Sequence, residues 1–190
     1  MTTHRAERAD DHDAVRRVVA DAFGDQKVPA LVDAMRLSPA WLDLSFVAED
    51  DGGIVGHVAF TRALLDTRRA LVDVLVLSPV SVAPAAQGRG IGSGLIRWAL
   101  EELRASAWPM VFLEGAPGYY ARFGFEPGEE RGHRRPSLRV PAPAFQVLPL
   151  PAAQEWMTGT LVYPQVFWDL DCVGLRDPDL EQVERALGVG

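Results

Sequence analysis

Eight consecutive residues, Gln87-Gly88-Arg89-Gly90-Ile91-Gly92-Ser93-Gly94, constrain this chain more than any other stretch. Every second position is glycine, so a row of backbone N–H groups is left uncovered by Cβ atoms. An apolar segment, Val80-Ser81-Val82, runs in, and an amphipathic pattern over 95–104 runs out. The glycines are therefore expected at a helix N-terminus. There the exposed donors and the positive end of the helix dipole form a cradle for phosphate oxygens.

Two common nucleotide loops do not fit. A P-loop needs a lysine after its last glycine, and the one lysine of the chain is Lys27. A dinucleotide fingerprint needs Gly-x-Gly-x-x-Gly; counted from Gly88 it ends on Ser93, and from Gly90 on Leu95. A plain flexible linker would carry serine and proline rather than Gln87 and Arg89 among glycines.

Composition bounds the rest. At 190 residues with 48% hydrophobic content the chain has the size of one domain with a sizeable core. No run approaches the ~18 apolar residues of a membrane span. The N-terminal residues lack the apolar centre of a secretory signal, so a cytoplasmic location is expected. One cysteine, Cys172, excludes a disulfide framework and reads as a packed residue. A net charge of −7 argues against a nucleic-acid partner, which requires a basic face. It does not argue against a phosphate-bearing small molecule, because local donors decide that binding.

The order of elements follows from periodicity. A short strand in the first eight residues precedes a helix capped by Asp10 or Asp11, with Ala14, Val15, Val18, Val19 and Phe23 on its apolar face. A second helix is expected over 28–37. Strands over 44–49 and 53–61, joined by Asp50-Asp51-Gly52-Gly53, predict a hairpin. A strand over 71–77 is expected to be interrupted at Ser78-Pro79 and completed over 80–83. After the glycines, Ile91, Leu95, Ala99 and Leu103 mark the buried helix face. A strand over 110–113 and a short helix over 119–123, stopped by Gly124, follow. The segment 126–143 reads as an exposed loop, 145–148 and 161–170 as apolar elements, and 177–187 as a final helix. The run 162–168 reads as core, with a homodimer interface as the alternative.

A second motif, Gly118-Tyr119-Tyr120-Ala121-Arg122-Phe123-Gly124-Phe125, lies about 30 residues after the first. Gln87, Gly90 and Gly92 fill the pattern Gln/Arg-x-x-Gly-x-Gly/Ala. Tyr120, Arg122, Gly124 and Phe125 fill a tyrosine motif in register, and Val80-Ser81-Val82-x-Pro84 precedes both. In this order the three segments resemble the GNAT superfamily of acetyl-CoA-dependent N-acetyltransferases. The resemblance covers about residues 3–127, leaving 128–190 to complete a single domain of 1–190. It implies an α/β fold of three α/β/α layers, whose mixed, mostly antiparallel central sheet is splayed in the middle.

The same resemblance implies a site. The N–H groups of Val80 and Val82 would serve the pantetheine arm and thioester of acetyl-CoA. Gln87, Gly88, Arg89, Gly90, Ile91, Gly92 and Ser93 would hold its pyrophosphate, with Gln87 shaping the turn and Arg89 adding charge. Tyr120 would protonate the departing sulfur; a phenol of pKa about 10 stays a loaded acid at neutral pH. The base stays open between Glu114, His57 and a water relay. Tyr119 reads as core and Arg122 as solvent-exposed or structural. Glu114-Gly115-Ala116-Pro117-Gly118 stands where many members place a coenzyme-contacting asparagine. The implied reaction acetylates a primary amine of a small molecule or protein, without a metal and away from nucleic acid or membrane; a coenzyme A-binding module without catalysis is the alternative.

Overall fold

Asp51 and Gly52 both have positive φ, 49° and 78°. This is the twist a two-residue hairpin demands, and it joins strand β2 (Trp41–Asp50) to β3 (Gly53–Thr67). The structure, a computed structural model, describes residues 2–189. Its contacts divide the chain into two units, Met1–Thr61 with Leu77–Ala105 and Arg62–Val76 with Ser106–Gly190. Strand β3 and strand β4 (Leu71–Val82) each run from one unit into the other.

In the first unit the strand order is β1-β2-β3-β4, with β1 (Thr3–Ala6) antiparallel to β2 and β2 antiparallel to β3. Helix α1 (His12–Phe23) buries Val15, Val18 and Val19, but its last residue, Phe23, is 46% exposed. The expected five-residue apolar face is thus shorter by its final member. Gly24, at φ 71°, ends the helix as expected. Asp11 does not cap α1; its carboxylate accepts the Arg8 N–H at 2.7 Å and the Arg5 guanidinium at 2.6 Å. Helix α2 (Lys27–Arg36) has Gln26 at its N-cap, and Asp25 just before it accepts the Lys27 and Val28 N–H groups on Oδ1. Helix α3 (Ile91–Arg104) buries Ile91, Leu95, Ile96, Ala99, Leu100 and Leu103. This stripe is wider than the four positions the sequence spacing marks. Strand β4 is continuous where an interruption was expected, and the Ser78–Pro79 peptide within it is cis.

In the second unit the order is β8-β3-β4-β5-β7-β6, built from β5 (Met110–Glu114), β6 (Glu126–Pro127), β7 (Phe145–Pro149) and β8 (Gly159–Val162). One ladder is parallel, between β4 and β5, and it comprises Leu75↔Val111 and Val76↔Phe112. The ladders β3–β8, β5–β7 and β6–β7 are antiparallel, giving the mixed, mostly antiparallel sheet of an α/β fold. Three short helices complete the unit: α4 (Pro117–Tyr120), α5 (Gln165–Asp169) and α6 (Asp179–Leu187).

The segment 126–143 is not an exposed loop. It contains β6, and it buries His133, edge-on to Phe112 with ring centroids 5.0 Å apart, and Val140. Its backbone is tied to β8 through Arg134 N–H to Gly159 and Leu161 N–H to Arg134. The apolar run over 161–170 splits at Pro164 into strand and helix, with Leu161, Tyr163 and Phe167 in the core. Among the described residues no helix is long and apolar enough to cross a membrane.

Candidate active site

Strand β4 ends at Val82 and passes through a 3₁₀ turn, Pro84–Ala86, into the glycine stretch. Gly88 and Gly90 take φ of 73° and 79°, a conformation that L-residues with side chains rarely adopt, and Gly90 is the N-cap of α3. The first helical hydrogen bond runs from Gly94 N–H to Gly90, so the N–H groups of Ile91 and Gly92 precede the intrahelical ladder. Gln87 donates its side-chain amide to the Val82 carbonyl at 3.0 Å. Val80 and Val82 share one half-buried face of β4, while Ser81 between them is buried on the other. Gly94 serves packing: a Cβ there would meet the His4 ring at 3.2 Å.

Arg89 does not stand alone. Its guanidinium pairs with Asp50, at the end of β2, at 2.6 Å, and this pairing holds the Asp50 carboxyl below the usual carboxylate range. The side chain is still half exposed.

His57, on β3, is fully buried. Its Nε2 lies 2.9 Å from the Ser45 Oγ and 3.5 Å from Glu7 Oε2. The Glu7 carboxylate also accepts the Ser45 hydroxyl and the Arg36 guanidinium. Burial lowers the His57 pKa against the opposing pull of Glu7. Burial also works against the Glu7 carboxylate, but His57, Ser45 and Arg36 outweigh it and keep the group ionised. A serine, a histidine and a carboxylate within bonding distance suggest a nucleophile, yet Ser45 is 2% exposed and its proton already goes to Glu7. The cluster ties β2, β3 and α2 together. Neither Glu7 nor Ser45 carried any signal in the sequence, since their partners lie far along the chain.

In the second unit β5 ends on Glu114, and Gly115 follows. The Gly115 N–H donates to the Ala144 carbonyl at 3.0 Å, and its own carbonyl accepts the buried Gln146 amide at 3.0 Å. Pro117 then opens α4, whose single turn presents Tyr119 and Tyr120, and Gly124 at φ 91° ends the turn that follows. The Tyr120 ring lies directly over Gly115: a Cβ at that glycine would come within 2.9 Å of Tyr120 Cδ2, inside any real contact. Tyr119 and Phe125 pack on the ring edge-on, with centroids 5.0 and 5.9 Å away. Burial, helped by Tyr119, pushes the Tyr120 pKa up to about 12. Arg122 is exposed and sits over the Tyr119 ring, 4.8 Å from its centroid.

The Glu114 carboxylate is held by one oxygen. Oε2 accepts the Gly174 N–H at 3.0 Å, while Oε1 is buried with no hydrogen-bond partner. Burial raises its pKa to about 7, against the smaller opposing effects of the nearby Tyr163 hydroxyl, the Gly174 N–H and Arg139. Gly174 adopts φ 63°, and a Cβ there would strike the Arg139 backbone, so glycine is required for this donor to reach Glu114. Of the expected site residues, Val80, Val82 and 87–93 therefore belong with His57 to the first unit. Glu114 and Tyr120 belong to the second, on either side of Gly115. No cluster of His, Cys, Asp or Glu suited to a metal ion occurs among the described residues.

Comparison with known proteins agrees with this arrangement of elements. Residues 3–128 match the model of the acetyltransferase (GNAT) domain. An uncharacterized N-acetyltransferase of Escherichia coli K12, YjhQ, is 36% identical over 141 residues, covering 72% of this chain and 76% of its own. Among solved structures, a GNAT acetyltransferase from Brucella melitensis in complex with acetyl-CoA is 35% identical, with a TM-score of 0.71 over 88% of this chain and 98% of the other. YhbS, a GNAT N-acetyltransferase from Escherichia coli in complex with CoA, gives a TM-score of 0.78 at 26% identity, covering 87% of this chain and 91% of its own. The match across residues 3–128, together with relatives above 30% identity, places this chain in the GNAT acetyltransferase family.

Proposed function

We propose that this GNAT acetyltransferase moves the acetyl group of acetyl-CoA onto a primary amine by direct attack, with Tyr120 as general acid and Glu114 as general base. The reading rests on one observation: Tyr120 and Glu114 flank Gly115, and their surroundings drive their pKa values apart, to about 12 and about 7. A group near 7 accepts a proton at neutral pH, and one near 12 keeps its own. His57 is not chosen because it is closed off within the Glu7–Ser45–Arg36 cluster. The coenzyme is assigned from the complexes of the two solved relatives, one with acetyl-CoA and one with CoA. Its pyrophosphate is assigned to residues 87–93 and its pantetheine to the N–H groups of Val80 and Val82. The whole of 1–190 is read as one catalytic domain, since β3 and β4 contribute to both units.

In this scheme the Glu114 carboxylate takes a proton from the substrate ammonium, and the neutral nitrogen attacks the thioester carbon. The C–S bond then breaks, the Tyr120 hydroxyl delivers its proton to the sulfur, and the still-cationic nitrogen returns its extra proton to the Tyr120 phenolate, leaving an amide and the free thiol. The test is thiol release from acetyl-CoA in the presence of primary amines. Tyr120→Phe is expected to lower kcat by about 10–100-fold with the coenzyme Kd little changed. Unchanged turnover in that variant would remove Tyr120 from the mechanism. Tight coenzyme binding without thiol release from any amine would reduce the protein to a binding module.

A further inference from the structure

A half-enclosed cavity of about 350 Å³ opens beside Glu114 in the second unit. One side is the end of β5 at Glu114 and Gly115; the opposite side is helix α6, which contributes Val183, Ala186 and Leu187. These three residues fall at helical spacing on one face, and none of them is buried. Their apolar stripe is therefore turned to the cavity rather than packed into a core. Pro141, Ala144 and Leu175 add further apolar wall. The polar side chain in this lining is Glu114, whose Oε1 is buried and without a partner while Oε2 is held by Gly174.

An apolar chamber lined by a carboxylate residue whose buried Oε1 has no hydrogen-bond partner has a defined complement: a single cationic N–H donor on an apolar body. We infer that this cavity binds a small primary monoamine with a hydrocarbon body, its ammonium on Glu114 Oε1 and its carbon skeleton against the α6 stripe. The volume lies at the low end of small-ligand sites, which suits one ring or a short chain and excludes a folded peptide. A diamine would force a second charge against Val183 and Leu187, and an alcohol of the same shape would lack the charge. Much of the wall comes from residues 141–187, outside the 3–128 segment that matches the family model. Read with the proposed acetyl transfer, on which this step rests, the monoamine is the acceptor.

The experiment is binding to the full-length protein without acetyl-CoA, using 2-phenylethylamine, 2-phenylethanol and putrescine as probes. The expected result is that 2-phenylethylamine binds and perturbs the Val183 and Leu187 methyl resonances. The alcohol and the diamine should bind at least about 10-fold more weakly, the range of a lost charge-assisted hydrogen bond. Glu114→Gln should weaken the amine by a similar factor. Val183→Trp should fill the cavity and abolish binding while the coenzyme Kd, measured on the same sample, confirms the fold. Equal affinity for amine and alcohol, or methyl shifts confined to other residues in the wild type, would overturn the inference without recourse to any variant. Amine binding at these methyls without thiol release on adding acetyl-CoA would leave the site standing and remove the transfer reading. Thiol release with a 2-phenylethylamine KM unchanged in Val183→Trp would do the reverse.

Discussion

Replacing Glu114 with glutamine is expected to make the protein more stable, and only at neutral and alkaline pH. Burial raises the Glu114 pKa from an ordinary 4.5 to about 7 in the folded protein. The folded state thus holds this proton more tightly than the unfolded chain. The stability it contributes is complete below pH 4.5 and is lost as pH rises through 7. At 1.36 kcal/mol per unit, the wild type gives up about 3 kcal/mol between pH 4.5 and pH 8 at this one residue. Glutamine cannot ionise, keeps the volume, and can still offer a carbonyl oxygen to the Gly174 N–H. Its NH₂ then occupies the place of Oε1, as the proton of the neutral acid would. The gain should accordingly be about 2–3 kcal/mol at pH 8 and close to zero at pH 5, after the cost of one unpaired donor. Urea unfolding of both proteins at the two pH values measures it directly. Every other titrating group is shared, so the difference isolates position 114. In thermal melts at pH 8 the gain should appear as a rise in Tm of roughly 5–10 °C for a chain of this size. A variant less stable than wild type at pH 8, or a gap independent of pH, would refute the assignment of a destabilised carboxylate.

Other outcomes follow from the same geometry. Gly115→Ala should displace the Tyr120 ring and cut kcat by about 10-fold or more with little change in coenzyme affinity, as measured by single-turnover and equilibrium binding. His133 is buried beside Phe112 with Nδ1 unpartnered, and burial, with Arg131 adding to it, lowers its pKa to about 4. The stability it contributes is present above pH 6.5 and lost toward pH 4, about 3 kcal/mol in all, and His133→Gln should flatten the acid limb of the stability profile. Arg89→Ala should cost about 1 kcal/mol of stability or less, because the guanidinium is half exposed although its partner Asp50 is not, and raise the coenzyme Kd by about 3–10-fold; an unaltered Kd would remove Arg89 from the coenzyme site.

What the sequence made legible is local. The glycine stretch, the Asp51-Gly52 turn, Gly24 and Gly124 each impose a backbone conformation on their own neighbours, and each is found where the pattern placed it. The buried face of α3 is legible for the same reason, since 3.6-residue periodicity is read within one helix. Pairings between remote segments were not legible. Arg89 meets Asp50 across 39 residues, Glu114 meets Gly174 across 60, and Glu7 meets Ser45 across 38. Nothing in a residue's type says which distant strand will lie beside it. The segment 126–143 misled for a related reason: its glycines, prolines and arginines suit an exposed loop, but its backbone is claimed by β7 and β8, and its one histidine falls under Phe112.

Both backbone groups of Gly115 are claimed at the start of β7, the N–H by Ala144, the residue just before the strand, and the carbonyl by Gln146 within it. The spacing between the carboxylate before this glycine and the phenol beyond it is thereby set by a neighbouring strand, not by a length of loop that must settle anew in each encounter. In the language of activated rates, the ordering is done during folding, and little of it is left to appear as an unfavourable entropy of activation. A chemical step served by these two groups would take its barrier chiefly from enthalpy.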